Sequence, residues 1–103
     1  MTITANQTLA HELHIANGSY FDDAASPAVP SINLGFTPRF VRVENQTDRI
    51  LLEWYEGMTA DHAIKTVAAG TRTAETSAGI TVSGRTFSFA PAQNKQYRWL
   101  AIG

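Results

Sequence analysis

The chain has 103 residues, of which 44% are hydrophobic, and its formal net charge is −1. This length accommodates one domain with a small core. The 8 basic residues are matched by 9 acidic ones, and this balance argues against nucleic acid as a main partner. No cysteine is present, which excludes disulfides, thiolate metal sites and a cysteine nucleophile.

The sequence shows neither a membrane span nor a secretory signal. No apolar run approaches the roughly 20 residues that a membrane helix requires. Residues 1–8 lack a basic n-region and an apolar h-region, so we expect no signal peptide. Residues 1–9 are polar and rich in threonine, and we interpret them as an extended N-terminal arm before a single domain over residues 10–103. We expect this arm to lie against a neighbouring copy or a larger assembly.

Beyond the arm, short segments alternate polar and apolar residues, as strands with one buried face do. The predicted strands span 11–16, 31–34, 39–44, 49–55, 62–67, 79–82, 85–89 and 97–102. Turn residues separate them, beginning with Asn17-Gly18 and a proline-containing loop over 22–30. Residues 71–76 are weakly patterned, and a helix of one or two turns over 60–69 is the alternative to the fifth strand.

The predicted hairpin over 39–55 has the clearest two-faced pattern. One face takes Val41, Val43, Ile50, Leu52 and Trp54, and the other takes Phe40, Arg42, Glu44, Leu51, Glu53 and Tyr55. About seven or eight short strands with frequent turns predict an all-β fold, an antiparallel β-sandwich or jelly-roll-like domain.

No pattern of catalytic or metal-binding residues stands out. His11 and His14 fall on opposite faces of a strand, which does not favour a shared metal ion. Neither a Gly-x-Ser-x-Gly elbow nor a glycine-rich phosphate loop occurs. We therefore predict a protein that is not an enzyme, with no catalytic residue, no cofactor and no metal.

The aromatic residues carry the remaining functional signal. Most of them are expected in the core, namely Trp54, Trp99, Phe87 and Phe89. Phe40 and Tyr55 share their faces with charged residues, so they are candidates for an interface or for stacking on a sugar ring. Tyr20-Phe21, beside two aspartates in a loop, is a second candidate patch.

A resemblance to a known group of proteins begins at Leu34 and continues to the end of the chain. Gly35-Phe36-Thr37-Pro38-Arg39-Phe40-Val41-Arg42-Val43-Glu44-Asn45, Asp48-Arg49 and Glu53-Trp54-Tyr55-Glu56-Gly57-Met58 resemble small virion proteins of tailed bacteriophages. Ser77-Ala78-Gly79-Ile80-Thr81, Phe87 and the closing residues 97–103 carry the same likeness. The closing strand is also similar to that of H-type lectin sandwiches, which form trimers.

The resemblance implies a capsid decoration, or cement, protein on the exterior of a virion, made in the host bacterial cytoplasm. Its expected partners are the major capsid protein and copies of itself in a trimer, with no nucleic acid and no membrane. We expect Arg39, Arg42 and Arg49 to form one contact face. The full set of predicted partner-binding residues is Ile3, Leu9, Tyr20, Phe21, Arg39, Phe40, Arg42, Arg49 and Tyr55.

Two other functions remain open at this point. One is a receptor- or glycan-binding module of a tail fibre or spike, which needs exposed aromatic residues beside polar groups in a concave site. Fibre tips are usually parts of longer chains, and we expect this chain to be complete, which favours decoration. The other is a head–tail connector or another minor virion component.

Overall fold

The computed structural model describes residues 14–103, which form one antiparallel sheet of eight strands and no helix. The strands are β1 (Ile15–Tyr20), β2 (Ile32–Asn33), β3 (Phe40–Asn45), β4 (Ile50–Tyr55), β5 (His62–Thr66), β6 (Arg72–Ser83), β7 (Thr86–Phe89) and β8 (Tyr97–Ile102). Their spatial order is β1-β8-β3-β4-β5-β6-β7-β2. The all-β prediction is confirmed. The predicted arm over 1–9, with Ile3 and Leu9, lies outside the described residues.

The sheet curls so that β7 lies over β8, giving a sandwich-like arrangement. Phe87 contacts Trp99 with ring centroids 5.2 Å apart, and Phe89 contacts Tyr97 at 5.1 Å. The buried cluster between the layers consists of Val41, Val43, Trp54, Ile80, Phe87, Phe89, Tyr97 and Ala101. None of the described residues forms a helix that could cross a membrane.

The hairpin of β3 and β4 has the two faces that alternation predicts. Val41 lies opposite Trp54 in the register, and both side chains are buried. Arg42 lies opposite Glu53 on the other face. Directly opposed residues of antiparallel strands share a face, so one side of the hairpin faces the core and the other faces solvent.

A wide bulge in β6 allows the sheet to fold over itself. Ala63 of β5 pairs with Glu75, but the preceding His62 pairs with Ile80, so residues 76–79 project between these two pairs. The Gly79 N–H donates to the Asp61 carbonyl at 2.8 Å, and the Ala78 N–H donates to Glu75 Oε1 at 2.9 Å. After the bulge, β6 pairs with β7 over Ile80–Ser83.

Position 79 in this bulge requires glycine, because the neighbouring backbone leaves no space for a side chain. A Cβ built on Gly79 would lie 2.4 Å from the carbonyl carbon of His62, and that neighbour is backbone that cannot rotate away. The hydroxyl of Thr81 donates to Asp61 Oδ1 at 2.6 Å, so the part of β6 after the bulge is joined to the residue just before β5.

Three local predictions differ from the structure. Asn17-Gly18 lies within β1 and does not form a turn, so the first strand continues to Tyr20 and does not end at residue 16 as predicted. Gly18 leaves room for Trp99, whose Cζ2 atom would lie 2.6 Å from a Cβ at that position. The helical alternative over 60–69 is wrong, since His62–Thr66 pairs with both neighbouring strands. The weakly patterned residues 71–76 and the predicted strand 79–82 are both part of β6.

Substituting Gly79 with alanine should destabilise the whole domain, because the new methyl group collides with the His62 backbone. We expect a loss of about 1–3 kcal/mol in the free energy of unfolding, the usual cost of overpacking a tight site. Urea denaturation followed by tryptophan fluorescence measures it. Ser77→Ala, at an exposed residue of the same bulge, is the matched control and should stay within about 0.5 kcal/mol of wild type. Equal unfolding midpoints for the two variants would contradict this account of the bulge.

Candidate functional site

The face of β1, β8, β3 and β4 that points away from the core brings four large apolar or aromatic side chains into one row. We call this row the outer row, and it consists of Ile15, Ile102, Phe40 and Tyr55. The pairing register places them side by side, Ile15 opposite Ile102, Ile102 opposite Phe40, and Phe40 opposite Tyr55. Ile15 and Tyr55, at the two ends of the row, are 55% and 46% exposed, and Phe40 and Ile102 between them are half-buried.

The two aromatic rings of the outer row contact each other. The rings of Phe40 and Tyr55 have centroids 5.2 Å apart and are tilted by 56°. Large apolar side chains that stay at least partly exposed along one row often mark a surface that another molecule covers. The outer row is therefore a candidate contact surface.

Ion pairs of both signs border the outer row. Arg39 Nε lies 3.7 Å from Glu56 Oε2, and the Glu56 N–H donates to the Arg39 carbonyl at 2.8 Å. On the same face, Arg42 lies 3.6 Å from Glu44. Exposed ion pairs are worth at most about 1 kcal/mol. These side chains can therefore exchange their present partners for groups on a bound protein at little cost.

The structure brings together only part of the predicted contact set. Phe40 and Tyr55 belong to the outer row, Arg39 borders it, and Arg42 lies on the same outward face. Arg49 lies in the turn between β3 and β4, at the other end of the hairpin from Arg39. The expected single face of three arginines is therefore not formed, because the hairpin separates its two ends.

The predicted Tyr20-Phe21 patch divides into two different roles. Tyr20 is half-buried, with its ring 5.7 Å from that of Phe89, and its hydroxyl donates to the Ala28 carbonyl at 2.6 Å. On the inner face of β1, Tyr20 joins the following loop to the core. Phe21, the next residue, is 56% exposed.

Asp22 organises the loop after β1. Its carboxylate accepts hydrogen bonds from the N–H groups of Ala24 at 2.8 Å and Ala28 at 3.3 Å, and the Tyr20 hydroxyl lies 3.3 Å from it. These bonds lower the pKa of Asp22, and the Ala24 N–H contributes most. Desolvation, with the nearby Asp22 charge adding to it, raises the pKa of Tyr20. The loop that carries Phe21 is thus held by one ionised carboxylate.

A cavity of about 210 Å³ opens between the layers near the turn between β3 and β4. Its walls include Val43, Leu52, Phe89, Tyr97, Lys65 and Glu75. It is smaller than the roughly 300–1,000 Å³ of typical small-molecule sites. Asn45, at its edge, exchanges hydrogen bonds with Asp48 at 3.0 and 3.2 Å, so these polar groups already satisfy one another. Residues 14–103 contain no cluster of three or more potential metal ligands.

Comparison with known proteins finds no match to a family model, a curated protein or a solved structure. The outer row is therefore assigned from geometry alone. Ile15 and Ile102 were missing from the predicted contact set. Alternation in the closing strand separates Ile102 from Ala101, but no local signal places it beside Phe40, because that contact depends on the order of strands in the sheet.

The Asp22 loop should loosen in acid. Because the carboxylate form is the one that accepts the backbone bonds, its stabilising contribution is present above the ordinary pKa of 3.8 and is lost as pH falls through the lower folded-state pKa. Hydrogen exchange followed by NMR should show that the protection factors of the Ala24 and Ala28 amides fall over this range. The control is Asp23→Asn, which should leave the profile unchanged, whereas Asp22→Asn should remove it. A titration midpoint for Asp22 at or above 3.8 would show that these bonds do not act as described.

Proposed function

We propose that this protein is a phage capsid decoration, or cement, protein that binds the major capsid protein on the outside of the shell. Its action is binding, without a chemical step. The observation that supports this most is the outer row, an apolar and aromatic stripe on the outward face of the sheet that ion pairs border. The resemblance to small virion proteins from Leu34 onward supports the proposed source.

The outer row suits a contact that spans two subunits of a shell. Four strands hold its side chains in register, so little conformational freedom is lost on binding. Apolar surface that is buried contributes about 25 cal/mol per Å². The Arg39–Glu56 and Arg42–Glu44 pairs offer both charges at the border and can favour one orientation of the partner.

Repetition makes weak contacts sufficient for this role. A shell presents the same site many times, and a protein that touches two subunits at once binds the second with a high effective concentration. Contacts between copies of this protein add to that effect. The shell then resists the internal pressure of packaged DNA, even though each contact contributes little by itself.

A receptor- or glycan-binding module of a tail fibre or spike is the second candidate. The exposed ring of Tyr55 lies beside the polar Arg39–Glu56 pair, which is the combination that sugar stacking uses. The outer row lies on an open sheet face and not in a concave site, and this favours the decoration role. Another minor virion component would use the same surface.

Removing both aromatic rings of the outer row should weaken capsid binding. The test is co-sedimentation of the purified protein with shells assembled from the major capsid protein of the same phage. We expect Phe40→Ser/Tyr55→Ser to bind at least about tenfold more weakly, since truncating an interface hot spot costs about 2 kcal/mol or more and tenfold in affinity is 1.4 kcal/mol.

The control is Val29→Ser, at an exposed apolar residue of the loop outside the outer row. It should bind as wild type does, and circular dichroism should show both variants folded. Wild-type protein that does not bind shells, or particles that retain their DNA equally well on heating without it, would refute the cement role. Unchanged binding of the double variant would show that the contact lies elsewhere. Binding on a glycan array that is lost in Tyr55→Ser would favour the second candidate.

A further inference from the structure

The strand β1 lies at one end of the sheet, and its free edge has a definite hydrogen-bonding pattern. Among residues 14–103 it pairs with β8 alone. At the start of this ladder the His14 N–H donates to the Gly103 carbonyl at 3.2 Å, and the Gly103 N–H donates back at 2.8 Å. Backbone groups alternate in direction along an antiparallel ladder. The N–H and C=O groups of Ile15, Asn17 and Ser19 therefore point away from β8.

The free edge of β1 has none of the features that usually prevent pairing. Folded proteins protect their edge strands with short length, charges, prolines or bulges. The other edge, β2, is protected in this way, because it has only two residues and follows Pro30 closely. In contrast, β1 has six residues in unbroken register with β8 and contains no proline and no charged side chain.

We propose that β1 pairs antiparallel with β1 of a second copy of this chain, about a twofold axis that passes midway between the two Asn17 residues. In this register Asn17 lies opposite Asn17, and Ile15 lies opposite Ser19. The three residues with outward-pointing backbone groups are symmetric about Asn17, so each of their N–H groups meets a carbonyl across the axis. If the register shifted by one residue, the outward N–H and C=O groups of one copy would face residues of the other copy whose N–H and C=O groups point to β8. These backbone hydrogen bonds would then not form.

The side chains of β1 fit this arrangement. The side chains of Ile15, Asn17 and Ser19 all lie on the outer face of β1. The twofold pairing places these three side chains of both copies on one side of the joined sheet, with Ile15 of each copy next to Ser19 of the other. On the inner face, Ala16 and Gly18 lie opposite each other across the axis and are too small to collide. The strand is uncharged, so two copies approach without electrostatic repulsion.

A second copy is an occupant that the backbone pattern of β1 fits. An isologous contact requires a surface that is complementary to itself, and the pattern of β1 about Asn17 meets that requirement. The pairing also joins the outer faces of the two copies into one larger surface. The inference does not rest on the capsid role. The proposed pairing gives a dimer, whereas the sequence resemblance implies a trimer.

Proline at position 17 tests the pairing between copies and leaves the hydrogen bonds between β1 and β8 in place. The Asn17 N–H points away from β8, so Asn17→Pro removes a donor that only a second copy uses, and edge strands tolerate proline in this orientation. Asn17→Ala is the matched control, since it also loses the side chain but keeps the N–H. Urea unfolding midpoints establish that both variants are folded.

Sedimentation equilibrium over a wide range of protein concentration gives the mass of each species. We expect wild type and Asn17→Ala to reach twice the 11.2 kDa of one chain, and Asn17→Pro to dimerise at least tenfold more weakly. Amide exchange of Ile15, Asn17 and Ser19 should slow as the concentration of wild type rises. A trimer, a monomer at every concentration, or a dimer that Asn17→Pro leaves intact would each overturn the proposal. A monomer in which these amides are already protected would show that the same chain covers the edge, and would overturn it as well.

Discussion

The absence of a side chain at Gly79 is the constraint on which the rest of the structure depends. The backbone of β6 passes so close to His62 that a Cβ would lie 2.4 Å from its carbonyl carbon. This close approach lets residues 76–79 bulge out, after which β6 leaves β5 and pairs with β7. The change of partner carries Phe87 and Phe89 over β8, where their rings meet Trp99 and Tyr97.

Folding the sheet onto itself uses only one of its faces for the core, and this has a direct consequence for function. Among residues 14–103, no strand packs over the opposite face of β1, β8, β3 and β4. Strand order then sets Ile15, Ile102, Phe40 and Tyr55 beside one another, although they come from four separate segments of the chain. The same arrangement leaves β1 at the end of the sheet. The proposed capsid contact and the proposed contact between copies both follow from how this sheet closes.

Much of the strand pattern and core could be predicted, because alternation acts on each strand separately. Val41 and Trp54 were expected to face inward, and both are buried. Predictions that depended on a local signature were less secure. Asn17-Gly18 has the composition of a turn, but the glycine is needed beneath the indole of Trp99, a residue far along the chain. Arg39 and Arg49 are close in sequence, but the hairpin places them at opposite ends.

The amino-acid sequence by itself determined the class of fold, the inward faces of the main strands and the presence of Phe40 and Tyr55 on a charged surface. These features depend on side-chain alternation and on hydrophobic burial, which a segment of five or six residues already expresses. Only the tertiary structure decided the strand order, the bulge at Gly79, the outer row and the free edge of β1. Each of these depends on contacts between residues far apart in the chain, and such contacts exist only once the whole sheet has closed.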